Sequence, residues 1–333
     1  VKRWGATNRW QPPVVVLVIF LALLAGCAPH PTAQHRAVSA STSRPMPRPT
    51  RRQQSSARSS SAASAPSPAG TTPAQTASSL QRLTMWSPSL HKTWPYAVYI
   101  PAHYDPARRY PVILVLHGMD GDYTNFFQLV DSKTILDTEI AQKGTPALVV
   151  FVDGGNDFYI NSPAAAMDTA ITQDLMGQLQ KQFALAAGPD QHVVGGVSMG
   201  GYGAMSLAFR HPDVFHAAFG ISPAVWRTVP AAAQARMPAF LTNGQWDQAR
   251  WNAAFPLNLV TPALVRRQPA VYLASAKPDT TVPVANVTSF AAALRARGLT
   301  PTVALADSGG HNVAYWRQAL PQAYAWSLDQ LKK

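Results

Sequence analysis

Apolar residues fall into short, continuous runs separated by polar or amphipathic stretches, and the pattern begins only after about residue 80. Pro111–Leu116 (PVILVL) and Ala147–Val152 (ALVVFV) are unbroken apolar runs of the length expected of strands buried on both faces. Tyr96–Ile100, Gln191–Val197, Val214–Ile221, Ala270–Ser275 and Pro301–Ala306 read as further strands. Between them lie four helical stretches: the amphipathic Ala164–Phe183, Gly201 through about Arg210, Val284–Arg297 and Asn312–Leu331. Repeated β-α alternation predicts an α/β domain over 83–333. Its mostly parallel central sheet should be flanked by helices in three layers. The stretch between Ile221 and Ala270 is rich in Trp and Pro and carries no regular period.

The residues before that domain have a different character. Residues 28–82 are mainly Ser, Ala, Pro, Thr, Gln and Arg, with scarcely a large apolar side chain. Such a segment cannot offset the entropy of ordering itself and is expected to be a disordered tether. A flexible chain of this length reaches on the order of 40 Å.

This division also explains the charge. The formal net charge is +12, but eleven of the 28 Lys and Arg residues lie within the first 100 positions, where there is no Asp or Glu. The remainder is almost neutral, so the sequence offers no electrostatic footprint for nucleic acid. Arg44, Arg48, Arg51, Arg52 and Arg58 suit either an anionic surface or a merely soluble linker.

The start of the chain has the layout of an export signal over 1–27. Lys2, Arg3 and Arg9 precede the apolar run Val14 to Leu24. That run is too short for an ordinary span of about 20 residues but suits a secretory core. It ends in Leu24-Ala25-Gly26-Cys27, which resembles the lipobox of bacterial lipoproteins; the alternative is a plain signal peptide with an incidental cysteine. The resemblance implies cleavage before Cys27, lipidation of its thiol, and a membrane-anchored protein facing the periplasm or cell surface. Acyl chains contribute roughly 0.8 kcal/mol per buried CH2, and several together hold a protein on a membrane. Cys27 is the sole cysteine, so no intrachain disulfide can form.

The candidate chemistry centres on Gly196-Val197-Ser198-Met199-Gly200, a G-x-S-x-G pattern between a predicted strand and a predicted helix. Glycines suit a strained turn that pushes the hydroxyl above the sheet, where the helix N-terminus favours negative charge. A serine hydroxyl needs a base, and in this arrangement the chain order is Ser, acid, His. Of nine histidines, only His211, His216 and His311 follow Ser198. His211 ends the nucleophile helix and His216 falls within a strand, which makes both structural. His311 lies in the flexible Ser308-Gly309-Gly310-His311-Asn312 loop and is the expected base.

The acid must come from Asp213, Asp247, Asp279 or Asp307, since no Glu lies between Ser198 and His311. Asp213 sits at the wrong end of the nucleophile helix, and Asp307 is too close in sequence to turn back onto His311. Asp279, after a predicted core strand, is the first choice, and Asp247 stays open as its rival. Two amides should form an oxyanion hole: that of Met199, and one from His117-Gly118-Met119-Asp120-Gly121, with Met119 preferred. His117 precedes the serine and is expected to brace this loop. Trp246 and Trp251 are candidates for stacking on a phenolic or sugar ring.

Taken together, Leu116-His117-Gly118, Asp157-Phe158-Tyr159, Gly196–Gly203 running into Arg210-His211-Pro212-Asp213-Val214-Phe215, and Gly309-Gly310-His311-Asn312 resemble the esterase D superfamily. That group includes carbohydrate esterases of family one, S-formylglutathione hydrolases and mycolyltransferases. The similarity runs from about Trp86 to Leu331. It implies the α/β-hydrolase fold, a Ser198–His311–Asp279 triad, an oxyanion hole from Met119 and Met199, and a pocket-lining Tyr159. The segment Ser275-Ala276-Lys277-Pro278 departs from the glycine that the family often carries before its acid.

The function expected from these features is serine carboxylic-ester hydrolysis through an acyl-enzyme, on acyl or feruloyl esters of saccharides or on small phenolic esters. No metal or cofactor motif appears. The alternatives are an acyltransferase of mycolyltransferase type and a catalytically silent glycan-binding lipoprotein. Oligomeric state is not legible. For the anchor, labelled fatty acid in a lipoprotein-processing host should map to Cys27, and Cys27→Ser should release the protein from the membrane fraction without changing its hydrolytic activity. Absence of label at Cys27 in such a host would remove the lipobox reading.

Overall fold

A computed structural model describes residues 76–331. The expected export signal, Cys27 and residues 28–75 of the expected linker lie outside the described residues. The folded region starts with β1 (Ser79–Ser87), four residues before the boundary expected from composition. Only Met85 and Ser87 of this strand are buried, and its apolar residues form no continuous run of the kind that marks the central strands. β1 pairs antiparallel with β2 (Lys92–Ile100), with Ser87 opposite Lys92 and Ser79 opposite Ile100.

Six further strands complete one eight-stranded sheet: β3 (Val112–Leu116), β4 (Leu148–Val152), β5 (His192–Val197), β6 (Ala217–Ile221), β7 (Ala270–Ala276) and β8 (Thr302–Ala306). Their order is β1-β2-β4-β3-β5-β6-β7-β8. β2 runs antiparallel to β4, and every pair from β4 through β8 is parallel.

The continuous apolar runs arise because both sheet faces are covered. Val112, Leu114 and Leu116 enter one core, while Ile113 and Val115 enter the other, the two-residue alternation of a pleated strand. The first core is closed by the helical stretch 167–182 (α2), Met199–Arg210 (α3) and Val284–Ala296 (α4). The second is closed by Ser132–Lys143 (α1) and Val313–Gln330 (α5). These are the expected three layers.

Two helices differ from the sequence-based expectation. α1 carried no readable signal, because only Leu136 among its large apolar side chains is fully buried, with Ile135 and Ile140 packed at the margin. α2 is one helical stretch as expected, but Ala170–Leu175 within it is a π-helix. The Trp- and Pro-rich stretch after β6 folds into short helices and a small hairpin, Leu241–Thr242 with Gln245–Trp246.

The chain leaves β3 toward β4 on one side, while β5 lies on the other, so the β3 and β5 loops open side by side at the sheet's switch point. That closeness depends on missing side chains. A Cβ at Gly200 would lie 2.0 Å from the Leu116 carbonyl oxygen, and one at Gly196 would lie 2.3 Å from the same atom. Backbone atoms cannot yield as a flexible side chain can, so Gly200→Ala should force α3 away from β3. Overpacking of this kind typically costs about 1–3 kcal/mol. Chemical denaturation should show that loss; a midpoint equal to the parent's would contradict so tight an approach.

Candidate active site

Ser198 occupies the turn between β5 and α3 with φ 55° and ψ −118°, a conformation that few L-residues adopt without a surrounding scaffold. The scaffold is present. The Ser198 amide donates to Ile221 O (2.9 Å), and its carbonyl accepts from the amides of Tyr202 (3.1 Å) and Ala224 (2.9 Å). The turn is thus tied to both its own helix and the neighbouring strand end.

His311 enters from the loop after β8. Its Nε2 lies 2.8 Å from Ser198 Oγ, and its Nδ1 lies 2.9 Å from Asp279 Oδ2. The two ring nitrogens therefore connect the hydroxyl to the carboxylate. Asp279 follows β7, and its other oxygen, Oδ1, accepts from the amides of Thr281 and Val282, each at 2.9 Å. Burial alone would push this carboxyl's pKa up. The hydrogen bond and charge of His311, aided by the Val282 amide, outweigh that and hold it below the ordinary carboxylate value. The Ser222 hydroxyl supports the same direction from nearby, although its geometry falls short of a hydrogen bond. Asp279 thus stays ionised, suited to fix one imidazole tautomer and to stabilise an imidazolium.

The other candidate acids are elsewhere. Asp247 caps the helix Gln248–Ala254, accepting from Arg250 N (2.9 Å) and Thr242 Oγ1 (2.7 Å). Asp307 is exposed and paired with Lys277, and Asp213 lies in the turn after α3. His211 meets Asp168 (2.6 Å), and His216 meets main-chain carbonyls of Pro189 and Gln330. Of the side chains weighed as base or acid, the structure brings together Ser198, His311 and Asp279.

Ser198 and His311 open into a chamber of about 420 Å³. Its apolar walls include Met119, Trp226, Pro230, Ala233 and Trp316, and Arg236, Thr280 and Thr281 add polar groups. Trp316 stands edge-on to His311, with ring centroids 5.8 Å apart. The Trp226 indole donates to Thr281 O (2.9 Å), joining this wall to the acid loop. Arg236 pairs with Asp120, which also accepts from Asn156 Nδ2. A second cavity of about 400 Å³, lined by Arg108, Tyr110 and Gly144, lies at the opposite edge of the sheet, away from Ser198.

Met119 lines the chamber, and its amide has no acceptor among the described residues. Met199 opens α3, where the first amides have no partner within the helix.

The aromatic candidates need correction. Tyr159 is fully buried and donates to His117 O (3.0 Å), so it supports the loop from beneath instead of lining the chamber. Trp251 is buried against Tyr202, with centroids 5.2 Å apart. Trp246 packs beside Trp251 and Phe240 and directs its indole N–H to Gln248. All three pack into the apolar block around α3. The residues that sequence reasoning missed are Trp226, Trp316, Arg236, Thr280 and Thr281. Trp316 had a readable signal: it lies five positions after His311, one helical turn into α5.

The acid assignment has a direct test. Asp279→Asn should lower turnover by orders of magnitude, about 10⁴-fold in the best-studied triad. Asp247→Asn should leave turnover nearly unchanged and shift stability little, because Asn caps a helix about as well as Asp. Near-normal steady-state turnover in Asp279→Asn would overturn the assignment.

Among the described residues, no group of three or more His, Cys, Asp or Glu side chains is arranged to hold a metal, and no helix is long and apolar enough to cross a membrane. Comparison with known proteins sets the site in context. The chain is 29% identical over 148 residues to an endo-1,4-beta-xylanase/feruloyl esterase of Xylanibacter ruminicola, covering 41% of this chain but only 20% of that relative. A ferulic acid esterase structure superposes with a TM-score of 0.67 at 21% identity, covering 77% of this chain and 99% of the other. An S-formylglutathione hydrolase from Agrobacterium tumefaciens superposes with a TM-score of 0.64 at 19% identity, covering 77% and 97%. At these identities the two structures show a shared fold, the α/β-hydrolase fold. The family model described as "Putative esterase" matches residues 87–327, most of the chain, and the protein therefore belongs to that esterase family.

Proposed function

We propose that the protein is a serine carboxylic-ester hydrolase working through an acyl-enzyme. The observation that carries this reading is the hydrogen-bonded chain Ser198–His311–Asp279 at the chamber wall, beside the unpaired Met119 amide. Ser198 Oγ attacks the ester carbonyl while its proton passes to His311 Nε2. The negative charge that forms on the carbonyl oxygen is met by the amides of Met119 and Met199. The alcohol leaves with the proton held on Nε2, and water then attacks the acyl-serine by the same route in reverse.

The chamber favours an acyl group with substantial apolar surface, since Trp226, Trp316, Met119 and Pro230 form much of its wall. Arg236, Thr280 and Thr281 suit a hydroxylated alcohol portion. Similarity to a xylanase/feruloyl esterase supports acyl or feruloyl esters of saccharides, or small phenolic esters, as the substrate class. The reading of residues 1–27 as an export signal with a lipobox at Cys27 supports action outside the cytoplasm, on a lipid anchor.

Ser198→Ala should abolish hydrolysis of p-nitrophenyl esters and labelling by a fluorophosphonate, while the circular dichroism spectrum and unfolding midpoint stay close to the parent's. Loss of a nucleophile typically leaves only the weak acceleration from binding and the oxyanion hole. Retained turnover in this variant would remove the central assignment.

A further inference from the structure

His117 is buried at the end of β3, outside the hydrogen-bonded chain of Ser198, His311 and Asp279. Its hydrogen bonds define its tautomer. The Gly154 amide donates to Nε2 at 2.9 Å, and an amide can donate only to a bare nitrogen. The imidazole proton is therefore on Nδ1, which donates to Gly118 O at 2.7 Å. Burial lowers the pKa of this imidazole and keeps the ring neutral, as this pattern requires.

Gly118 O belongs to the same peptide unit as the Met119 amide. In a trans peptide the C=O and N–H point in opposite directions, and no peptide bond among the described residues is cis. A donor on the carbonyl therefore sets the direction of the amide. The Gly121 amide donates to the same oxygen (3.1 Å), and Tyr159 holds the preceding carbonyl, that of His117. The Asp120 amide is engaged by Asn156 Oδ1 (2.8 Å). Among the described residues the Met119 amide has no acceptor, and Met119 lines the chamber beside Ser198.

We infer that His117, through its Nδ1–H bond to Gly118 O, is a positioning residue that aims the Met119 amide into the oxyanion hole. The inference rests on the hydrolase reading above. It assigns His117 no contact with substrate. Its effect acts on the transition state, where charge forms on the carbonyl oxygen, and so falls on kcat more than on KM.

Two amide substitutions separate the two ring nitrogens. In His117→Asn the side-chain NH2 takes the place of Nδ1–H and can still donate to Gly118 O. In His117→Gln the longer side chain reaches the Nε2 position and can still accept from Gly154, but it leaves Gly118 O without that donor. With p-nitrophenyl acetate, His117→Asn should keep kcat within a few-fold of the parent. His117→Gln should lose about 10- to 100-fold in kcat with little change in KM, less than the 10²–10³ that follows complete removal of an oxyanion donor. A purely structural role would instead make both losses follow the unfolding midpoints. Equal kcat in two folded variants, or a loss confined to KM, would overturn the inference.

Nitrogen-15 NMR of histidine-labelled wild-type protein tests the same point without a substitution. His117 should show a protonated Nδ1 and a bare Nε2, and the reverse tautomer would refute the proposed bond even if neither variant folds. The two readings fail separately. Wild-type protein that neither turns over an ester nor takes up a fluorophosphonate defeats the hydrolase reading, whereas active wild-type protein with the wrong His117 tautomer defeats only the positioning role.

Discussion

The backbone contact between the start of α3 and the end of β3 is the constraint on which the site depends. Gly196 and Gly200 meet the Leu116 carbonyl at distances that exclude any side chain. This approach brings Ser198 beside the His117–Gly121 loop, so Ser198 and Met119 share one wall of the chamber. The positive φ of Ser198 is the local cost of the turn, and hydrogen bonds to Ile221, Tyr202 and Ala224 offset it. The strain is held by the sheet and helix around it, not by the turn itself.

From that contact the rest of the site is assembled by strand ends. β7 delivers Asp279, whose second oxygen is held by two amides of its own loop. β8 leads to the Gly309-Gly310-His311 segment, where Gly309 has φ 114° and a Cβ would meet the Tyr315 ring. Each catalytic candidate comes from a different strand, so their separation is governed by the spacing of a rigid parallel sheet. Among the described residues the Met119 amide has no acceptor.

The aromatic block above α3 has a different purpose from the chamber. Tyr202, Trp251, Phe240 and Phe158 meet at ring geometries of stacked and edge-to-face pairs. Such pairs typically contribute about 0.5–1.5 kcal/mol beyond area burial. They fasten the irregular segment after β6 to the nucleophile helix, and that same segment supplies Trp226, Pro230, Ala233 and Arg236 to the chamber. Packing on one side and chamber lining on the other are thus divided between neighbouring stretches of one segment.

Sequence alone determined the core strands, the layered fold, and the identities of Ser198 and His311, because these follow from local features: continuous apolar runs, a glycine-flanked serine, and the order of a few histidines. For the acid it put Asp279 first and left Asp247 open as a rival. Only the tertiary structure shows that Asp279 meets His311 while Asp247 caps a helix, since both uses follow a break in the pattern and distance to His311 is a three-dimensional quantity. The chamber wall was illegible for the same reason. An aromatic side chain has one composition whether it faces a cavity or a packed core, and the fold turned Tyr159, Trp246 and Trp251 inward while leaving Trp226 and Trp316 at the cavity. β1 escaped notice because a strand paired at the sheet edge needs few apolar residues, and α1 because it buries a single narrow face. Periodicity reports how much of an element is buried, whereas the neighbours that bury it are set by the fold.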